Sequence, residues 1–195
     1  MKKFNGYDEA KPIVDRQKLP AGGYVVKILN AKEETFDWGG ILAIRFDIAE
    51  GEFKDFYKND YENQNQEDRK WKGVLRLYLP KDDGSDVDNF TKRKFKTVMD
   101  AIEKSNRGFR WEWDEVKLKG NVVGALFGNT EWEYNGRTGF YTECRTFCDV
   151  QKVRDGAFRM PADKLLKNST SPAAASKNDD LPAGFQDVTD DDIPF

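Results

Sequence analysis

The sequence predicts a mainly β protein built on a five-stranded antiparallel Greek-key barrel, with one helix between the third and fourth strands. Three observations predict this fold class. Several segments alternate apolar and polar residues, which is typical of strands with one buried face. One central segment carries apolar residues at helical spacing. An Asn-Gly pair between two strand-like segments is the strongest short-range signal for a β-hairpin.

The first half of the chain supplies three strands. A turn at residues 19–23 leads into a β-branched run at 24–29. The second strand, 41–49, has apolar residues at alternate positions, and so does the third strand, 74–79. In both strands the alternation directs the leucine, isoleucine and phenylalanine side chains towards a core.

Between the second and third strands the pattern is weaker. Residues 53–57 either continue the second strand or pair with it after a turn at Gly51. The segment 58–72 is rich in Asn, Gln and charged residues, so it is expected to be a mobile loop.

A helix follows the third strand. Its apolar stripe consists of Phe95, Val98, Met99 and Ile102. Asp88 or Asn89 is expected to cap the start of the helix, and residues 106–108 its end.

Two more strands are expected after the helix. The fourth strand is predicted over 116–127, broken at Gly120 and with Gly124 as a second candidate break, and the fifth belongs to the hairpin around Asn135 and Gly136. Just before them, Trp111 and Trp113 alternate with charged residues and are expected to pack mainly in the core.

The resulting order, β-β-β-α-β-β, is the arrangement of the OB-fold, which binds oligonucleotides on strands two and three and on the loops around them. An unrelated α+β sandwich is the alternative. The barrel domain is expected to span residues 19–165, after an N-terminal extension at 1–18. The small polar residues at 166–177 predict a flexible linker, and 178–195 form an acidic tail that is expected to be disordered.

The composition favours a cytoplasmic protein that needs no cofactor. No apolar run has the length of a membrane span, and the first residues lack the apolar run of a signal peptide. Cys144 and Cys148 are expected to be reduced and to share one strand face, and two cysteines without histidine cannot complete a tetrahedral zinc site.

No enzyme activity is predicted. The chain contains no histidine, which is the commonest general base. The triplet at 115–117 reads Glu-x-Lys, as in some metal-dependent nucleases, but it arises easily by chance in a chain that is 34% charged. No phosphate-binding glycine loop or nucleotide-binding fingerprint accompanies it.

The charges divide the chain into a basic body and an acidic tail. The net charge is −3, and residues 178–195 contain six aspartates without lysine or arginine, so subtracting −6 from −3 leaves +3 for the first 177 residues. A body that attracts phosphates and a tail that repels them can act separately.

The hairpin is the first candidate surface for nucleic acid, because aromatic faces stack on bases and cations follow phosphates. Cross-strand pairing should place Trp132, Tyr134, Arg137 and Tyr141 on one face, with Gly139 leaving space beside the Trp132 ring. The rings either belong to the core or form a clamp on single-stranded DNA.

Further candidates lie on the strands and the helix. On strands two and three, the residues that point away from the core are Arg45, Arg76 and Tyr78. The end of the polar loop carries Trp71 and Lys72, and the basic start of the helix carries Arg93 and Lys94. Cations at a helix start oppose its dipole, so a phosphate contact would explain them better than helix stability does. A solvated surface is the alternative for each cation.

The C-terminal tip has the chemistry of a docking peptide. It consists of Asp190, Asp191, Asp192, Ile193, Pro194 and Phe195. A partner's pocket can take the ring while basic groups take the carboxylates. This tip closely resembles that of bacterial and phage single-stranded DNA-binding proteins, and the segment from residue 19 through the hairpin resembles the phage-encoded members.

The resemblance implies a protein that coats single-stranded DNA during replication or recombination and recruits replication, recombination and repair enzymes through the tip. It leaves a monomer, a dimer or a larger homo-oligomer open. The alternative function is an adaptor or inhibitor that occupies the docking pockets of partners without binding DNA.

Overall fold

The structure is a computed structural model that describes residues 2, 5–8 and 17–166. Five strands form one antiparallel sheet in the order β3-β2-β1-β4-β5. The strands are β1 (Gly22–Phe36), β2 (Gly39–Ile48), β3 (Val74–Tyr78), β4 (Val122–Tyr134) and β5 (Arg137–Cys148). The prediction of a mainly β protein with a five-stranded antiparallel sheet is confirmed.

The sheet is strongly curved and open. β3 and β5 form its two edges, and four strand spacings would separate them by roughly 19 Å if the sheet were flat. Instead, Cα atoms of β3 and β5 come within 8 Å of each other. No hydrogen-bonded ladder joins these two edges in the described part of the chain, so the sheet does not close into the predicted barrel.

The helices in the described residues are α1 (Phe56–Glu62), α2 (Asp86–Ser105) and α3 (Val150–Arg154), with a 3₁₀ turn at Glu115–Leu118. None of them is both long and apolar enough to cross a membrane. α2 is the helix predicted between the third and fourth strands. The predicted cap at Asp88 or Asn89 is wrong, because the Ser85 hydroxyl caps the helix by accepting a hydrogen bond from the Asp88 N–H at 3.1 Å.

The core lies between α2 and the inner face of the sheet. The predicted apolar stripe of α2 is buried there, together with alternate residues of the strands: Val26, Ile28, Leu42, Ile44, Phe46, Val123, Ala125 and Phe127. Phe46 packs edge-to-face on Phe127 and Phe147, with ring centroids 6.0 and 5.7 Å away. The alternation of apolar residues therefore assigned the core face of the central strands correctly.

Residues 53–57 do not extend or pair with β2 but lead into α1. The buried carboxylate of Asp47 accepts hydrogen bonds from the N–H groups of Ile48, Tyr57 and Lys58 at 2.8, 2.9 and 3.0 Å. Two of these donors belong to the first turn of α1, where N–H groups have no partner within the helix. Burial raises the pKa of the Asp47 carboxyl, although the three backbone hydrogen bonds favour its charged form.

The fourth strand begins later than predicted. Residues 115–118 form the 3₁₀ turn, because the Asp114 carboxylate caps it through the Val116 N–H at 3.1 Å. Gly120 follows with a φ of 91°, which an extended strand does not allow. Asn106 then fixes the start of β4 by a pair of hydrogen bonds to the Val122 backbone, at 2.7 and 3.0 Å.

A β-bulge in β5 separates the two cysteines. Cys144 pairs with Phe127, whereas Thr146 pairs with Leu126, so Arg145 is the extra residue. Cys144 therefore packs against the core, and burial raises the pKa of its thiol. The side chain of Cys148 is on the opposite face, beside Gly124. Both thiols are free, but the prediction that they share a face is wrong.

Candidate nucleic-acid interface

The sheet face opposite the core, called the outer face below, carries polar and aromatic side chains along β1, β2 and β3. Lys32 of β1, Ala43 of β2 and Arg76 of β3 form one row across the three strands. Asn30, Arg45 and Val74 form the next row. Because side chains in a row share a face, the structure places Arg45, Arg76 and Tyr78 on the outer face, as the sequence predicts.

An aromatic cluster stands at the turn between β1 and β2. Phe36 pairs with Gly39, so the turn has only two residues, Asp37 and Trp38. The Trp38 ring stacks on Phe36, with centroids 5.0 Å apart and planes at 4°, and lies 5.8 Å from the Tyr78 ring. Trp38 remains 41% exposed, so part of its ring is accessible to a ligand.

Phe36 and Trp38 were not identified from the sequence. The signal was present, because Trp38 directly precedes two glycines and follows a long strand-like run. Lys32 was missed too. It is exposed on the outer face, and its side chain adds a cation to the row that Arg76 occupies.

Residues 56–72, called the flap below, are ordered rather than a mobile loop. The buried amide of Gln64 accepts a hydrogen bond from the Lys70 N–H and donates one to the Lys70 carbonyl, both at 2.8 Å. The Trp71 indole N–H donates to the Phe46 carbonyl at 3.1 Å. Trp71 is therefore partly buried and fixed against the sheet, and its stacking on a base stays a prediction.

Lys72, the last residue of the flap, pairs with Asp60 of α1 at 3.2 Å. Its side chain is still half exposed, so it keeps access to solvent while it holds the flap. The pair joins the end of the flap to its helix, which explains Lys72 structurally; a contact with phosphate stays a prediction.

The β4–β5 hairpin has the register that the sequence predicts. Tyr134 pairs with Arg137 and Trp132 with Gly139, and Asn135 and Gly136 adopt φ values of 51° and 70°. Positive φ at both central residues is required by a type I′ turn. Trp132, Tyr134, Arg137 and Tyr141 therefore share one face, and the three rings are exposed rather than part of the core. The Trp132 ring lies over Gly139, where a Cβ would stand 2.7 Å from it.

A strap from the end of the described chain supports the base of this hairpin. Lys164 donates its N–H to the Asn129 carbonyl at 2.9 Å and accepts from the Glu131 N–H at 2.8 Å. The half-buried Arg145 donates to the Asn129 carbonyl and to the Thr130 hydroxyl. The strap and Arg145 therefore hold the base of the hairpin in place.

Arg93 and Lys94 lie apart from the outer face. They are exposed on α2, whose opposite side packs against the inner face of the sheet. Their charged groups lie 6.0 and 5.9 Å from the centroid of the Phe90 ring, which is the geometry of a cation–π contact. The structure does not join them to the other predicted DNA-contacting residues.

The prediction that Trp111 and Trp113 pack in the core is wrong for Trp113. Trp111 packs against the core, but Trp113 is 81% exposed. Its φ of 61° lies in the left-handed region, which breaks the expected alternation of a strand. The ring lies parallel to that of Phe95 of α2, with centroids 6.1 Å apart.

The acidic tail and its tip, residues 178–195, lie outside the described residues, as does the linker beyond Leu166 and most of the extension at 1–18.

No protein-family model matches the chain, and no curated protein matches it in sequence.

Proposed function

We propose that the protein binds single-stranded DNA with little sequence preference and protects it during phage DNA replication or recombination in the host cytoplasm. The observation that carries the proposal is the outer face of β1, β2 and β3. There the Phe36–Trp38–Tyr78 cluster, in which Trp38 is exposed, is followed along the strands by Lys32, Arg76 and Arg45. Aromatic faces for bases next to cations for phosphates are what a single strand requires.

The position of this surface supports an OB-fold interpretation of the sheet. An OB-fold is a partly open five-stranded barrel that binds oligonucleotides on strands two and three and on the β1–β2 and β4–β5 loops. Here Arg45 and Arg76 stand on β2 and β3, Trp38 stands in the β1–β2 turn, and the β4–β5 hairpin carries Trp132 and Tyr134. The helix between β3 and β4 agrees with the same interpretation.

The energetics suit sequence-tolerant binding. Stacking contributes about 1–3 kcal/mol per base, and it depends little on base identity because every base has a π-face. Contacts between cations and phosphates add a term that weakens steeply with salt. The tip would act separately, by recruiting replication, recombination and repair enzymes to the coated strand.

Replacing Trp38 by alanine tests the proposed surface. The variant should lose about 1–3 kcal/mol of binding free energy for a labelled oligo-dT, measured by fluorescence anisotropy at low salt. Trp113→Ala is the matched control, because it removes a still more exposed tryptophan from the α2 side and should bind like the wild type. Equal affinities for both variants and the wild type would refute the assignment of this surface.

A further inference from the structure

A pocket of about 460 Å³ opens on the outer face between the sheet and the flap. Its size is within the range of pockets that hold small ligands. Six of the residues that line it are Asn30, Arg45, Tyr61, Asp68, Arg69 and Trp71. Because Asn30 and Arg45 pair across β1 and β2, the floor of the pocket continues the row of outer-face residues next to Lys32 and Arg76.

The walls of the pocket are held in place before any ligand arrives. Asp47 fixes the start of α1, which carries Tyr61, and Gln64 clamps the backbone of Lys70. The indole hydrogen bond to the Phe46 carbonyl fixes Trp71. A preformed wall lowers the cost of ordering side chains on binding.

The lining matches a nucleotide. The Tyr61 and Trp71 rings stand 5.8 Å apart and tilted by 47°, and the Arg69 guanidinium lies 5.9 Å from the Tyr61 centroid. These groups offer planar surfaces to a base, and Arg45, Arg69 and Lys70 supply positive charge for its phosphate. The one carboxylate in the lining is that of Asp68.

Asp68 and Asn30 give the pocket the means to distinguish bases. An ionised carboxylate only accepts hydrogen bonds, so it attracts the exocyclic amino group of cytosine and repels the O4 carbonyl of thymine at the equivalent position. The Asn30 amide both donates and accepts, so it can complete the contact with the same base edge.

We propose that this pocket takes one unstacked base of the bound strand and prefers a base with an exocyclic amino group, such as cytosine, over thymine. The inference rests on the proposed function. It adds one base-selective position to an otherwise sequence-tolerant surface, which places the selectivity at the flap and not at the aromatic cluster.

The test compares oligo-dC and oligo-dT of equal length as ligands of the full-length protein, by anisotropy at low salt. In a homopolymer every nucleotide has the same base, so the pocket receives that base wherever along the strand the protein binds. The wild type should bind oligo-dC about tenfold more tightly, the lower part of the range for a direct base contact. Asp68→Asn introduces an amide that can donate to thymine O4, so the ratio of the two affinities should fall to about one or invert.

Glu67→Gln is the matched control, because it removes the same charge from the neighbouring residue, which does not line the pocket. Both variants should bind DNA somewhat more tightly in general, but only Asp68→Asn should change the ratio. Tight binding of both oligonucleotides with the same ratio in all three proteins would overturn the pocket inference and leave the proposed function intact. Failure of both oligonucleotides to bind would overturn the proposed function and the inference with it.

A third ligand, free dCMP, distinguishes two possible ligands of the pocket: one base of a DNA strand, or a free nucleotide. Competition by dCMP only at concentrations far above those of the oligonucleotides agrees with a subsite for one base of a strand. Binding of dCMP without binding of either oligonucleotide would assign the pocket to free nucleotides and overturn the proposal.

Discussion

Among single residues, Asp88 shows how one carboxylate orders the connection between β3 and α2. Its Oδ1 accepts hydrogen bonds from the N–H groups of Lys81 and Asp82 at 2.9 and 3.1 Å, and its Oδ2 pairs with Lys92 at 2.8 Å. The hydrogen bond from the Lys92 ammonium, supported by the backbone N–H groups, holds the pKa of Asp88 below its usual value. The connection follows Tyr78 directly, so Asp88 also supports the edge of the proposed binding face.

Replacing Asp88 by asparagine should destabilise the protein in a pH-dependent way. A carboxyl whose pKa is lower in the folded state stabilises that state above its unfolded pKa of about 4, and the contribution is lost as the pH falls through the folded pKa. The unfolding temperature of Asp88→Asn should therefore lie below that of the wild type at neutral pH and approach it in acid. Circular dichroism melts over a pH series measure both.

Asp86→Asn is the control for this change, because Asp86 is exposed in the same first turn of α2. It should melt close to the wild type at every pH. A deficit of Asp88→Asn that is the same at neutral and acid pH would contradict the ion-pair explanation.

Among the secondary-structure elements, the β4–β5 hairpin offers the clearest comparison between its two faces, because each face carries an exposed aromatic ring. Tyr141 and Phe140 are neighbours with nearly equal exposure, 48% and 51%, but their side chains point to opposite faces because strand residues alternate. Tyr141 shares the face of Trp132 and Tyr134, and Phe140 shares that of Glu131.

Tyr141→Ala should therefore weaken binding of oligo-dT by about 1 kcal/mol or more, since stacking on an aromatic side chain contributes about 1–3 kcal/mol. Phe140→Ala removes a ring of similar exposure from the other face and should leave the affinity unchanged. Anisotropy titrations of both variants measure the difference. An equal loss in both variants would show that the hairpin does not bind DNA through one face.

The elements that the sequence predicted correctly depend on local chemistry. The register of the hairpin followed from Asn135 and Gly136, whose residue types allow the positive φ of a type I′ turn. The core faces of β2 and β3 followed from apolar alternation, as Ile44 and Leu75 illustrate. The outward direction of Arg45 and Arg76 followed from the same alternation.

The features that could not be predicted from the sequence depend on contacts between residues far apart in the chain or on irregularities within a strand. α1 forms where Asp47, from the end of β2, accepts the free N–H groups of its first turn. The two cysteines lie on opposite faces because Arg145 forms a bulge, and alternation alone gives no sign of a bulge. The position of Trp38 beside Tyr78 required the exact pairing of β1 with β2, which the sequence did not supply.

For the protein as a whole, a basic DNA-binding body and an acidic recruiting tail are proposed to act independently. Deleting Phe195 should abolish binding to a replication or repair enzyme, because its ring is the proposed contact with the partner's pocket. The affinity for oligo-dT should stay the same or rise slightly. A pull-down with a candidate enzyme and an anisotropy titration measure the two activities separately.

Phe185→Ala controls for the loss of a phenylalanine elsewhere in the acidic tail, and it should retain both activities. A large loss of DNA affinity on deletion of Phe195 would show that the tail and the body do not act separately.

Direct titration with single-stranded DNA tests the proposed function in one experiment. The tryptophan fluorescence of the full-length protein is followed while poly-dT, duplex DNA or poly-U is added at low and at high salt. Poly-dT should quench the fluorescence at low salt, because Trp38 and Trp132 are exposed on the proposed binding surfaces. The quenching should weaken at high salt as phosphate contacts are screened, and duplex DNA should bind less tightly. Absence of quenching and of binding by poly-dT at low salt would contradict single-stranded DNA binding.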